Sequence, residues 1–213
     1  MPIITPDGDR IPVPARLPVI PLRDVVFFPF VAMPLIVGRG ASLAAVDAAM
    51  EGTGEHYLFV VSQRSPDTDE PAAGDLHRVG VVVRVLEHAR LPNGTSRLLL
   101  EGVARARVAR YSTAGGLLRA SLADQRPAAD VPAAELRALA RRALSQFEEY
   151  VSLHRRIPGE VVAIAQGATS PARQAYAIAA HLAVPPAARQ QLLDAEPLGA
   201  LFRALDAAIA GEI

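Results

Sequence analysis

The side chains available for chemistry in this sequence are defined first by what is missing. All 22 basic side chains are arginine, and the 213 residues contain no cysteine. A phosphate-binding loop needs a lysine on the phosphates, Schiff-base chemistry needs an amine, and Ser–Lys hydrolysis needs a lysine base. Without cysteine there is no thiolate nucleophile, thiolate zinc site or disulfide. Serine, histidine, arginine and carboxylate remain. The five histidines, His56, His77, His88, His154 and His181, are scattered, and none has a partner four residues on with a glutamate between, as a zincin helix requires. Ser42, Ser62, Ser65 and Ser96 lack the Gly-x-Ser-x-Gly setting of a nucleophile elbow. The expectation is therefore a chain with no catalytic residue, no metal site and no cofactor.

Three clusters could instead bind something. The run from Gln63 to Gly74 carries Asp67, Asp69 and Glu70 but lacks the central glycine and distal glutamate of a calcium loop, so it is expected as a solvated loop. Arg105, Arg107 and Arg110 alternate with Ala104, Ala106 and Val108, which predicts a half-buried strand with arginines on the outer face. Arg105 and Arg107 are candidate anion contacts, although no aromatic residues interleave with them to stack bases and the net charge is zero, so nucleic acid is not the expected partner. The third cluster is Phe28, Pro29, Phe30 and Met33. Phenylalanines flanking a proline cannot all point inward from a bent edge, and the neighbouring methionine is adaptable, so these four residues are the candidate apolar contacts. The proline-rich segments 17–22 and 33–37 are also expected to lie at sheet edges, since each proline removes a backbone donor, and an exposed edge can accept an extended chain as an added strand.

The elements that position these clusters change character near residue 125. Residues 1–15 are rich in Pro, Asp and Gly and read as a flexible leader. Residues 16–124 read as six or seven strands with one helix. Leu17–Leu22 begins the series, 25–28 returns as a short apolar run, and 35–37 is a buried strand; Ser42 is placed to cap a helix through Met50. Asn93-Gly94 between two branched runs is the strongest hairpin signal, and Gly102 is expected at a bulge. Residues 125–213 switch to a period of 3.6: Leu136, Leu139, Ala140, Ala143, Leu144, Phe147, Val151 and His154 share one helical face. Pro158-Gly159 and Pro185-Pro186 break the helices that follow, and Ser170 with Pro171 starts one of them. The fold class is α+β, a mixed β-barrel-like domain followed by a helical bundle. Neither a basic segment leading an apolar run nor a stretch of eighteen apolar residues is present, so the expected compartment is the cytoplasm and no membrane partner is expected.

Several motifs, in order along the chain, carry a family resemblance. Leu-Pro-Val-Ile-Pro-Leu-Arg-Asp-Val-Val-Phe-Phe-Pro at 17–29, Pro-Leu-Ile-Val-Gly-Arg at 34–39, the stretch 75–85, Leu-Pro-Asn-Gly-Thr at 91–95 and Glu-Gly-Val-Ala-Arg-Ala-Arg at 101–107 resemble the N-terminal domain of ATP-dependent Lon proteases. Gln146 to Tyr150, Ile157-Pro158 and Pro171-Ala172-Arg173 extend the resemblance into the helical half. The resemblance implies a PUA-like β fold with one or two short helices, then a helical bundle, together recognising unfolded or damaged protein and feeding it to a hexameric ATPase and protease. Those catalytic parts are not in these 213 residues, which the missing lysine states independently. The competing expectation is a stand-alone PUA-like interaction or RNA-binding module.

Overall fold

The computed structural model describes residues 2–51, 53–124 and 129–212. The chain divides into two compact units, with the division after residue 125.

In the first unit, β1 (Pro2–Ile4) and β2 (Arg10–Pro12) form an antiparallel hairpin. Its turn is closed by Asp9, whose N–H donates to Thr5 Oγ1 at 3.0 Å, and by Gly8 at φ 93°. This segment is not the flexible leader its composition suggests. Ile3 is wholly buried and Val13 nearly so, in one core with Leu17, Val19 and Phe59. Strands of three residues are too short to display a period, and Pro2, Pro6, Pro12 and Pro14 obscure them further.

The strands that follow are β3 (Leu17–Leu22), β4 (Ala32–Val37), β5 (Tyr57–Ser62), β6 (Val79–Arg90), β7 (Ser96–Ala114) and β8 (Leu117–Leu122), with α1 (Gly40–Met50) between β4 and β5. They lie in the order β4-β7-β6-β5-β3-β8, and β8 pairs back onto β7. The strands β7, β6, β5, β3 and β8 therefore close on themselves, while β4 sits outside on the first half of β7. β3 and β5 run parallel, and the other pairs in this sheet are antiparallel. Branched residues of β5 and β6 are buried on both faces, which explains why 57–62 and 79–83 read as continuous apolar runs.

Three local expectations need correction. β3 is an interior strand with all six residues buried, yet it contains Pro18 and Pro21. It accommodates them by dividing its partners: Leu17 and Pro18 pair with β8, and Val19 to Leu22 pair with β5. No residue of β3 is asked to pair on both sides, and the Pro21 carbonyl accepts from Arg39 Nη2 at 2.7 Å. Residues 25–28 form no strand; Val26, Phe27 and Phe28 are buried as a loop, and the Val25 carbonyl accepts from Ser62 Oγ at 2.8 Å. Helix α1 starts at Gly40, so Ser42 lies buried within it and does not cap it.

The polar run after β5 is pinned down. Gln63 is 4% exposed and its amide nitrogen donates to the carbonyls of Ser65 and Thr68. Arg39 donates to Gln63 Oε1 and to the Asp69 carbonyl, and Arg23 pairs with Asp69. Guanidinium and amide groups supply here the partners that apolar contacts cannot. Burial, with Arg23 nearby, holds the Arg39 guanidinium below its ordinary pKa.

The second unit is helical: α2 (Ala133–Leu153), α3 (Glu160–Gln166), α4 (Pro171–His181), α5 (Pro186–Asp194) and α6 (Leu198–Ala210). Its core joins Ala140, Ala143, Phe147 and Val151 of α2 to Ile178 of α4, Leu193 of α5 and Phe202 and Leu205 of α6, all buried. Ser170 caps α4, accepting from the Arg173 N–H at 3.1 Å with Pro171 in the first turn. Tyr150 is fully buried, and its hydroxyl accepts from the Ala183 N–H at 2.9 Å, which ties the end of α4 to α2. Arg189 donates to the Leu182 and Ala180 carbonyls, doing for the C-terminus of α4 what a capping residue would. Among the described residues, no helix is long and apolar enough to cross a membrane.

Candidate functional site

The aromatic loop and β4 build one surface from the backbone outward. Phe28 and Pro29 are buried, Phe28 to 1% exposure. The chain then turns, with Phe30 at φ 65°, the one described non-glycine residue at positive φ. The Phe30 N–H donates to the Gly102 carbonyl at 2.7 Å, and the Gly102 N–H donates to the Val31 carbonyl at 2.9 Å. Two residues, Phe30 and Val31, thus oppose one, Gly102, in a β-bulge whose first position ordinarily belongs to glycine because of its left-handed backbone. Here the glycine is across the strand. A Cβ on Gly102 would lie 2.2 Å from the Phe28 carbonyl oxygen and 3.0 Å from the Pro29 Cα, so only a bare backbone lets the loop sit against β7. Gly102 also falls in the register shift between Val82 and Val83 of β6, where the bulge was expected.

Beyond the bulge, β4 pairs with β7 alone, from Ala32 opposite Glu101 to Val37 opposite Ser96. Exposure alternates along it. Met33 and Leu35 are half-buried and Val37 is buried, while Ala32, Pro34 and Ile36 are exposed, Ile36 to 65%. Ile36 is therefore not part of a buried strand: β4 is covered on one face only. The outer row continues across Leu99, opposite Pro34, and Leu86, the extra residue of a second register shift, is 45% exposed. The half-buried Phe30 stands at one end of this surface. Of the four candidate contacts, the structure leaves Phe30 and Met33 partly accessible and adds Ala32, Pro34 and Ile36, which an all-apolar run gave no means of telling from their buried neighbours.

A charged cluster borders the same strands. Arg84 donates to Glu55 and Glu101, each at 2.6 Å, and the Tyr57 hydroxyl donates to Glu55. The hydrogen bond from Tyr57, with Arg84 beside it, holds the Glu55 carboxyl below its ordinary range. Burial, reinforced by Glu55, pushes the Tyr57 phenol up to about 12.

Arg105 and Arg107 lie where alternation put them, opposite Val81 and Val79, with Ala106 buried between them and Ala104 buried before. Arg105 is half-buried and partnered; Arg107 is exposed. The nearest aromatic residue of this strand, Tyr111, donates its hydroxyl to the His77 carbonyl at 2.9 Å and packs, partly buried, against the core. Four histidines have hydrogen-bonding neighbours that account for them: His56 with Ala49, His88 with Ser96, His154 with Tyr150 and His181 with Ala177. Among the described residues, no group of three His, Cys, Asp or Glu side chains could hold a metal ion.

Residues 16–202 match the family model described as the ATP-dependent protease La (LON) substrate-binding domain. The chain is 37% identical over 216 residues to the Lon protease of Xanthomonas oryzae pv. oryzae, an alignment covering 96% of this chain and 25% of that protein. It is also 37% identical over 198 residues to the Lon protease of Escherichia coli, covering 93% of this chain and 25% of the relative. The chain thus spans about a quarter of the length of these relatives. Its fold resembles the N-terminal domain of Mycobacterium avium complex Lon protease, with a TM-score of 0.73 at 20% identity over 93% of this chain and all of that one. The Lon N-terminal domain protein of Xanthomonas campestris superposes with a TM-score of 0.55 at 21% identity, over 92% and 97% of the two chains. The α+β architecture, the order of the motifs and the family match agree, and the chain belongs to the Lon substrate-binding domain family.

Proposed function

We propose that this chain is the non-catalytic substrate-recognition module of an ATP-dependent Lon-type protease, binding exposed apolar segments of unfolded or damaged proteins in the cytoplasm for delivery to ATPase and protease parts. The observation that carries the reading is the surface formed by Phe30 and the outer row of β4: a half-buried aromatic side chain on a left-handed backbone, beside an edge strand whose Ile36 is 65% exposed. Non-glycine residues in that conformation concentrate at functional sites, because the surrounding structure must hold them there. Phe30 and the outer row of β4 are the proposed contacts, with Met33 partly accessible on the opposite face; Phe28 and Pro29 are the buried footing that positions them.

An apolar patch of about 400 Å² is worth on the order of 10 kcal/mol at about 25 cal/mol/Å², most of which ordering costs remove, so single-site affinity is weak. Weak sites suit a hexamer, where repetition raises avidity and each contact still lets go. The test is fluorescence anisotropy of a labelled, permanently unfolded protein titrated with this chain at low and high salt, beside its folded form and a single-stranded RNA. Micromolar, salt-tolerant binding to the unfolded form alone is expected, and Phe30→Ser weakens it with the fold intact. Steeply salt-sensitive binding to RNA, lost with Arg107→Ala, would establish the competing module instead.

A further inference from the structure

The bulge at Gly102 fixes which backbone groups of β4 face outward. Antiparallel pairing alternates between residues that exchange hydrogen bonds and residues that do not. The bonds at Gly102 involve Val31, so counting along the register places Met33, Leu35 and Val37 in bonded pairs with Leu100, Leu98 and Ser96. Ala32, Pro34 and Ile36 fall in the other class, with their backbone groups turned to the free side. Proline is the middle of the three. The free edge therefore presents donors at Ala32 and Ile36, about 13 Å apart at about 3.3 Å per residue, and no donor between them.

We infer that β4 captures an extended segment of unfolded polypeptide by strand addition, held at Ala32 and Ile36, and that Pro34 is the residue that keeps this capture weak. The inference rests on the recognition reading above and specifies its mode. An added strand would lay alternate side chains beside Ala32, Pro34 and Ile36, the exposed row, so backbone pairing and apolar contact use the same three residues. Backbone pairing reads no particular sequence, as a receptor for many clients requires.

The same geometry disfavours a second copy of this chain as the occupant. Two β4 edges placed together would lack two donors, one from each Pro34. Six residues span about 20 Å, and an edge of that length buries a few hundred Å² per partner at most, against the roughly 800 Å² of a stable interface. A short extended segment of another polypeptide fits these limits.

The experiment compares the wild-type chain with Pro34→Ala and Ala32→Pro, using labelled, reduced and carboxymethylated α-lactalbumin as the unfolded probe. The amide signals of β7 report that each variant remains folded. Restoring one donor is expected to tighten binding about fivefold, and removing one to weaken it about fivefold, the order a single backbone hydrogen bond supplies. The Ala32 and Ile36 amides of the wild-type chain are expected to gain protection from solvent exchange when the probe is bound. Wild-type binding that neither substitution alters, with no gain of protection, would overturn strand addition and leave the recognition reading standing. Absence of binding by all three chains would overturn both. Self-association of Pro34→Ala without tighter probe binding would also overturn the proposal and assign the edge to a second copy.

Discussion

Phe30 offers a test in which packing cancels. A non-glycine residue in the left-handed region costs about 1–2 kcal/mol, and φ is 65° here. Replacing the half-buried ring by alanine or by glycine removes nearly the same contacts, so both variants lose roughly 1 kcal/mol of the 1.5–3 kcal/mol that full burial of a phenylalanine is worth. They differ in the backbone. Alanine keeps the strain; glycine relieves it but loses about 0.5–1 kcal/mol more chain entropy on folding. Phe30→Gly is therefore expected to be more stable than Phe30→Ala by about 0.5–1 kcal/mol, the reverse of the order found inside an ordinary strand. Urea titrations followed through the amide signals of β7 isolate the first unit from the helical one. Equal stabilities, or alanine above glycine, would refute the left-handed assignment. Both variants should lose affinity for unfolded protein to the same extent, because the aromatic ring is gone from each.

Other perturbations probe the same unit. Gly102→Ala places a methyl group against the Phe28 backbone, which cannot swing aside; a loss of about 1–3 kcal/mol or more is expected in urea unfolding. Ile3→Ala should cost about 2–5 kcal/mol, since the residue is wholly buried, whereas a flexible leader would leave thermal melts unchanged. Tyr57 titrates at about 12 in the folded chain, above the roughly 10 of an unfolded one. The unfolded state then loses its proton first, so this contribution to stability is intact below about pH 10 and is lost as pH rises towards about 12. Tyr57→Phe should abolish that part of the alkaline decline in melts taken from pH 9 to 12.

Local chemistry made some of this fold readable from the residues. Asn93-Gly94 produced the expected hairpin because its determinants are neighbours: Gly94 takes φ 82°, and Asn93 Oδ1 accepts from both the N–H and the hydroxyl of Thr95. The arginine face of β7 was readable because alternation is a property of one strand. The prolines of β3 misled because proline states only that a donor is absent, while the division of that strand between β5 and β8 depends on residues 40 and 100 positions away. Ile36 was misplaced for a related reason: a three-residue apolar run cannot show that one face of its strand is uncovered. The left-handed backbone at Phe30 had no signal of its own. The glycine that its bulge needs is Gly102, some seventy residues on, where it removes a clash on the opposite strand.

The nineteen-residue β7 has a mechanical consequence. One strand carries both the pairing that closes the barrel and the pairing that holds β4, so a pull on β4 along its length loads its bonds to β7 together, in shear, and passes directly into the barrel wall. A segment added at the outer edge as proposed would meet two donors, at Ala32 and Ile36, and the carbonyls of Ala32, Pro34 and Ile36, with no further strand on its far side. On the proposed mode, the receiving edge is backed by the barrel wall through β7, so that drawing a captured segment away would leave the edge in place.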